Sequence, residues 1–296
     1  MLKHNTSTKI IPERVVVMGA GGFIGASLVK TLKASEIPFL ALTSKIMNLF
    51  DSDAPERLAD ILRPEDTLVV ISAIAPCTNI EMLLQNISMM KAVCEAIEKQ
   101  QPKHLIYLSS DAVYADSPDP LTETSSSEPG SLHGVMHFSR EIMLRGVCTV
   151  PMAVLRPSLI YGAEDTHNGY GPNQFFRLAL ADKEIALFGE GEEQRDHVYI
   201  KDVVDIVLLV ILQRSEGVIN VATGSVVSFR KVAKMVSEYF IPQITINTKP
   251  RVGPMPHNGY RPFDPSACLT AFPEFSYTTL TDGLEKTFKA LTHKVK

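Results

Sequence analysis

Residues 14–25 read RVVVMGAGGFIG. Val15, Val16, Val17 and Met18 form an unbroken apolar run, the pattern of a parallel strand covered on both faces. Gly19, Gly22 and Gly25 follow at spacing three, and Ile24, Leu28 and Leu32 recur at helical intervals. Strand, glycine turn and amphipathic helix in this order make the first unit of a dinucleotide-binding fold. Such a turn can be tight, and its backbone can approach a pyrophosphate held at the helix N-terminus beside Phe23 and Ile24. A glycine loop that binds nothing is the plain alternative, and the flanking strand and helix weigh against it.

Outward from this unit, apolar strand patterns at 39–43, 68–72, 105–109 and 152–155 alternate with helical patterns at 23–33, 55–62, 80–99 and 134–145. The repeated order predicts an α/β fold, a doubly wound parallel (Rossmann) sheet with helices on both faces and a smaller C-terminal substrate-binding lobe. Residues 14–157 and 199–222 are assigned to the dinucleotide-binding core, 158–198 and 223–296 to the lobe, and 1–13 to a disordered lead. Residues 161–171 are rich in Gly, Asn, Asp and His, as in a loop that closes over a ligand. With 45% apolar and 21% charged residues the chain reads as an ordinary soluble domain. A net charge of −4 gives no basis for binding nucleic acid or anionic lipid. The longest apolar run, 206–212, is too short to cross a bilayer, and the lead has no apolar signal segment. Four scattered cysteines without a C-x-x-C pair read as the reduced thiols of a cytoplasmic protein.

Four further segments follow one pattern: LIYLSSDAVY at 105–114, AVLRPSLIYG at 153–162, ALFGEGEEQRDHVYIKDVV at 186–204 and VINVATG at 218–224. Together with the glycine turn they make the chain resemble the extended short-chain dehydrogenase/reductase family, the NAD-dependent sugar-nucleotide epimerases and dehydratases. The likeness runs from residue 15 to about 284. It implies that Ser110 is the catalytic hydroxyl that bonds a sugar hydroxyl or keto oxygen; a serine that only satisfies local backbone is the alternative. Asp111 falls where the dehydratase branch has its acid, but the glutamate that follows there is Ala112 here, against a standard dehydratase; otherwise Asp111 is a turn residue. Arg195 falls where the family turns an arginine toward the nucleotide-sugar diphosphate, a task that suits the bidentate guanidinium; an ion pair with Glu192 or Glu193 is the alternative. Asn173 matches a substrate-contacting position and would serve equally as an N-cap. Asn86 matches a helix asparagine that steadies backbone near the site, and Asp202 reads as a helix cap.

The departure lies in SLHGVMHFSRE at 131–141. Where the family carries Y-x-x-x-K, this chain has His133 and His137. In the family the lysine holds the nicotinamide ribose and its charge lowers the tyrosine pKa. His133 can move a proton, since an ordinary imidazole titrates near about 6.5, although its ring stops short of a phenol oxygen. His137 can bond a ribose hydroxyl but carries no lasting charge at neutral pH. As a base, His133 would lose activity as pH falls through its titration, and Asp111 and Tyr161 are the reserve candidates. Two histidines at this spacing also suit a metal, yet no third ligand is evident nearby, so no metal site is expected.

These readings predict a nicotinamide-dependent epimerase or reductase acting on a nucleotide-activated sugar. The rival is a degenerate relative that holds dinucleotide as a sensor or assembly partner without turning anything over. Where an NAD-preferring strand ends in an acid, this chain has Thr43, Ser44 and Lys45 and no acid before Asp51, so NADP(H) is expected over NAD. The resemblance also implies a homodimer through the helices at 80–99 and 134–145, with Met82, Met89 and Met90 as contacts or as core.

Overall fold

A computed structural model describes residues 2–293. In chain order the elements begin β1 Val15–Met18, α1 Phe23–Ala34, β2 Phe39–Leu42, α2 Ala54–Ile61, β3 Thr67–Val70 and α3 Ile80–Lys99. They continue with β4 His104–Leu108, α4 Leu132–Val147, β5 Met152–Pro157, β6 Leu159–Tyr161, α5 Pro172–Leu180, β7 Ile185–Phe188 and β8 Gln194–Tyr199. The chain then forms α6 Ile200–Leu212, β9 Gly217–Val221, β10 Val226–Ser228, α7 Phe229–Ser237 and β11 Ile246–Lys249. Last come β12 Tyr260–Arg261, α8 Ser266–Ala271 and α9 Leu280–His293.

The central sheet has six parallel strands in the order β2-β1-β3-β4-β5-β9. Alternating side chains serve two layers. Val15 and Val17 meet Leu28 and Leu32 of α1 and Val203, Val207 and Val210 of α6. Val16 and Met18 meet Leu58 of α2, Met90 and Ile97 of α3 and Leu144 of α4. With both faces covered, the strands can be apolar throughout, as the sequence pattern requires. The order reverses at β1, with β2 on one side and β3 on the other. The crevice beyond the C-terminal ends of β1 and β3 is therefore where an open α/β sheet binds its ligand.

β8 pairs with β6, β10 and β12, and β7 with β11, giving the C-terminal elements their own core around Tyr161, Phe175, Phe176, Phe229, Val232 and Leu284. The stretch after 223 is divided, because Cys268 and Phe272 join the core of the central sheet. The lead, expected to be disordered, is a correction. Lys3 forms an antiparallel bridge with Glu216, and His4 bonds Ser215 Oγ (2.7 Å) and the Ala271 carbonyl (2.9 Å). Its polar composition hid a docking made through backbone and one imidazole.

Candidate functional site

At the crevice, Gly19 has φ +88°, and a Cβ there would lie 2.6 Å from the Ser72 nitrogen. The turn is closed by the Gly22 N–H donating to the Gly19 carbonyl (3.1 Å). A Cβ on Gly25 would lie 2.1 Å from that same carbonyl, so glycine at this position lets α1 sit directly on the turn. No side chain caps α1, which leaves the positive end of its dipole facing the crevice. A cleft of about 1010 Å³ opens there, lined on this side by Gly19, Gly22, Phe23, Ile24, Thr43, Ser44 and Lys45. Gly25 supports that wall from beneath rather than lining it. Asp51, the first acid after β2, is engaged by Asn48 Nδ2 (2.6 Å) and Arg57 Nη1 (3.1 Å). An open helix end, a backbone turn bare of side chains and a cleft of this volume fit a dinucleotide.

The same cleft continues past Ser110, His133 and His137 to Asn173. Ser110 follows β4; its Oγ accepts the Ala112 N–H (3.2 Å) and donates to Asp111 Oδ1 (3.3 Å), so the local backbone role exists in a residue that also lines the cleft. Ser131 caps α4 by accepting the Gly134 N–H (3.1 Å), and the two histidines then share one face a turn apart. Their rings meet edge to face with centroids 4.8 Å apart. The Cys77 N–H donates to Nδ1 of His133 (3.3 Å), and Nδ1 of His137 lies 2.8 Å from the Tyr107 hydroxyl. Burial pushes His133 below its ordinary pKa, opposed by Asp111 and aided by His167. Burial, with His133 and Arg140 adding to it, holds His137 well below that value. Both rings are neutral at neutral pH, so the lasting charge of a lysine is absent from this pair.

Beneath the histidines lie residues the sequence reading passed over. Arg140 is fully buried, donates to the Ser72 carbonyl (2.6 Å) and sits 5.4 Å from the Tyr107 ring centre. Glu141, also fully buried, accepts from Ser109 Oγ (2.6 Å) and from Arg156 through both oxygens (2.9 and 2.7 Å), locking α4 to β4 and β5. A sequence signal existed: Met136, His137, Arg140, Glu141 and Leu144 recur at helical spacing on the buried face, so two charged groups interrupt it.

Several expectations change. Asp111 is held toward its ionised form: burial opposes its ionisation, but Arg261, Arg195 and His257 outweigh it and hold the carboxyl below the usual range. Arg261 Nε lies 2.9 Å from Asp111 Oδ2. Arg195 is outside the cleft lining, its guanidinium held between Asp111 Oδ2 and Glu193 Oε1, each at 3.5 Å. The ion-pair alternative describes it, with Asp111 as an added partner. Tyr161 is unsuited as a base, since its hydroxyl is buried against Gly283 and burial drives its pKa far upward. Asn173 does not cap α5, which begins after Gly171; it accepts the Gly162 N–H (2.9 Å) and pins the end of β6 at the cleft. Asp202 lies inside the first turn of α6 and accepts from Thr278 N–H (2.8 Å) and Oγ1 (2.7 Å), bracing the approach to α9 rather than capping. Asn86 behaves as expected, exchanging hydrogen bonds with the Ile74 backbone (3.0 and 2.9 Å).

Solved structures share this architecture. A UDP-glucose 4-epimerase from Thermotoga maritima, solved with UDP-glucose, superposes with a TM-score of 0.84 at 22% identity, covering 96% of this chain and 100% of that one. A UDP-glucuronic acid 4-epimerase from Bacillus cereus, in complex with UDP-glucuronic acid and NAD, gives 0.80 at 20% identity, covering 95% and 99%. A GDP-L-fucose synthetase from Naegleria fowleri gives 0.83 at 17%, covering 99% and 97%. Among the described residues no helix is long and apolar enough to cross a membrane. The family model for the NAD dependent epimerase/dehydratase family matches residues 15–222, spanning the glycine turn, the histidine-bearing helix and β9, and the chain belongs to that family.

Proposed function

We propose that the protein is an NAD(P)-dependent epimerase or reductase of a nucleotide-activated sugar, working with the His133/His137 pair in place of a tyrosine and lysine. The observation that carries this reading is the single cleft that joins the glycine turn to Ser110, both histidines and Asn173. When bound, the dinucleotide would exchange a hydride with a sugar carbon. The turn at Gly19 and Gly22, with Phe23 and Ile24, would hold its pyrophosphate, and Thr43, Ser44 and Lys45 its adenosine ribose. Ser110 and His133 would hold the reacting sugar oxygen, with His137 on the nicotinamide ribose and Asn173 at the sugar end. The relatives solved with UDP-glucose, or with UDP-glucuronic acid and NAD, support the substrate class.

Incubation with NAD or NADP and a panel of UDP-, GDP- and TDP-sugars, followed by product analysis, tests the reading. The expected result is slow conversion of at least one sugar, with NADP(H) bound more tightly than NAD. NAD binding at least about tenfold tighter, a difference of about 1.4 kcal/mol, removes the role given to Lys45. Dinucleotide binding without conversion of any sugar favours the rival reading, a degenerate binder, for which the loss of a charged residue at position 137 is the supporting observation.

A further inference from the structure

We infer that Tyr107 and the Cys77 backbone fix both histidines as neutral Nε2–H tautomers, so that the cleft meets its ligand with two hydrogen-bond donors and recognises an oxygen acceptor. This deepens the reading of the cleft as the reaction site, and it makes Tyr107 a positioning residue that acts through His137.

The assignment follows from where protons can go. At His133, Nδ1 accepts the Cys77 N–H (3.3 Å), so the single proton of the neutral ring is on Nε2. At His137, Nδ1 faces the Tyr107 hydroxyl at 2.8 Å, and two arrangements are conceivable. If Nδ1–H donated to the phenol oxygen, the phenol proton would be left without an acceptor, because this contact is the only hydrogen bond of that buried hydroxyl among the described residues. An orphaned buried donor is costly. If the phenol donates, every buried proton of the pair is satisfied and the ring carries its own on Nε2.

Arg140 reinforces the second arrangement. Its guanidinium is buried over the Tyr107 ring, with no carboxylate within 4.0 Å among the described residues. A fixed positive charge there strengthens the phenol as a donor and disfavours a second proton on His137. The charged and titratable groups facing the pair are Arg140, Tyr107, Asp111 and His167, besides the two rings themselves. Only Asp111 pulls toward an imidazolium, and two arginines already hold it. With both Nδ1 atoms committed, neither ring offers the cleft a lone pair. The pair therefore stabilises an oxygen that accepts, such as a ketone, an alkoxide or the lone pair of a ribose hydroxyl, and the proton that a sugar hydroxyl sheds in the proposed hydride exchange would pass to water in the open cleft rather than to either ring.

Long-range ¹H–¹⁵N correlation spectra of the ¹⁵N-labelled full chain read the tautomers directly, with signals assigned through His133→Gln and His137→Gln. Both rings should show the Nε2–H pattern, with no imidazolium at the ordinary histidine value of about 6.5. In Tyr107→Phe the His137 signal should become a mixture of tautomers while His133 is unchanged. An Nδ1–H ring or an imidazolium at either position in the parent protein overturns the inference, and this result needs neither the Tyr107 variant nor any ligand. It is also independent of whether the cleft takes a dinucleotide. Titration with NADPH alone and with UDP-glucose alone then locates the acceptor: an Nε2 shift with the first assigns it to the cofactor, with the second to the substrate. No shift with either overturns the acceptor role.

Discussion

Asp111 lies between Arg261, at 2.9 Å, and Arg195, at 3.5 Å, and both arginines come from segments far along the chain. Arg261 is almost fully buried, and its charge is shared between that carboxylate and Asp116, whose Oδ1 lies 2.9 Å from Nη1. Asp111→Asn removes the arginines' shared partner while Arg261 keeps Asp116 and Arg195 keeps Glu193, and should cost about 2 kcal/mol of stability, read from the urea midpoint. Ser110→Ala, one residue away, removes a hydroxyl that serves one local backbone N–H and should cost about 1 kcal/mol. An Asp111→Asn variant with the parent midpoint would return Asp111 to the list of acids. The sequence could place Ser110 beside the site because the end of a strand is a local signal. It could not show the partners of Asp111, since an ion pair across 150 residues leaves no trace in spacing.

Among the elements, apolar periodicity made α3 legible to the residue and α4 to within two residues at each end, the cap at Ser131 having gone unread. Which of their side chains face outward was less so. Met90 is buried in the core and Met89 packs against it, so these two methionines are core rather than dimer contacts. The exposed apolar residues are instead Ile80 (68%) and Leu84 (58%), one turn apart on α3, and Ile142 (53%) on α4. Exposed large aliphatic groups on two helices that pack on each other suit a contact with a second copy. A homodimer is expected by sedimentation equilibrium, and Leu84→Glu with Ile142→Glu should shift it to monomer without changing far-UV circular dichroism. A parent protein that sediments as a monomer at micromolar concentration removes this interface. A lone apolar residue on a helix looks the same in sequence whether the neighbouring surface covers it or not.

At the scale of the whole molecule, burial of neutral histidines ties the fold to pH. Burial pushes His104 down to about 4 and His197 down to about 3, while an unfolded histidine titrates at about 6.5. Above that value neither state binds the proton and the full stability is present. As pH falls through about 6.5 the unfolded chain takes up protons that the folded chain refuses, so stability is lost, and the loss continues until the folded values are reached. Well below about 6.5 each histidine contributes about 1.4 kcal/mol per pH unit, and because the unfolded ring is only half protonated at about 6.5, the two together lose about 3 kcal/mol between about pH 6.5 and 5. That is a large share of the total stability of a typical domain, about 5–15 kcal/mol. Asp196 and Asp202 are raised by burial and act in the opposite direction, so the parent curve alone mixes the two effects. His197 packs edge to face on Phe229 in the C-terminal core, which makes His197→Phe a variant that removes the titration and keeps a ring in place. Urea midpoints measured across this interval should fall in the parent, and His197→Phe should recover about 2 kcal/mol of the loss at pH about 5 relative to pH about 6.5. Parallel pH curves for parent and variant would mean that His197 is protonated as readily in the folded chain as in the unfolded one, and would place its ring in contact with water.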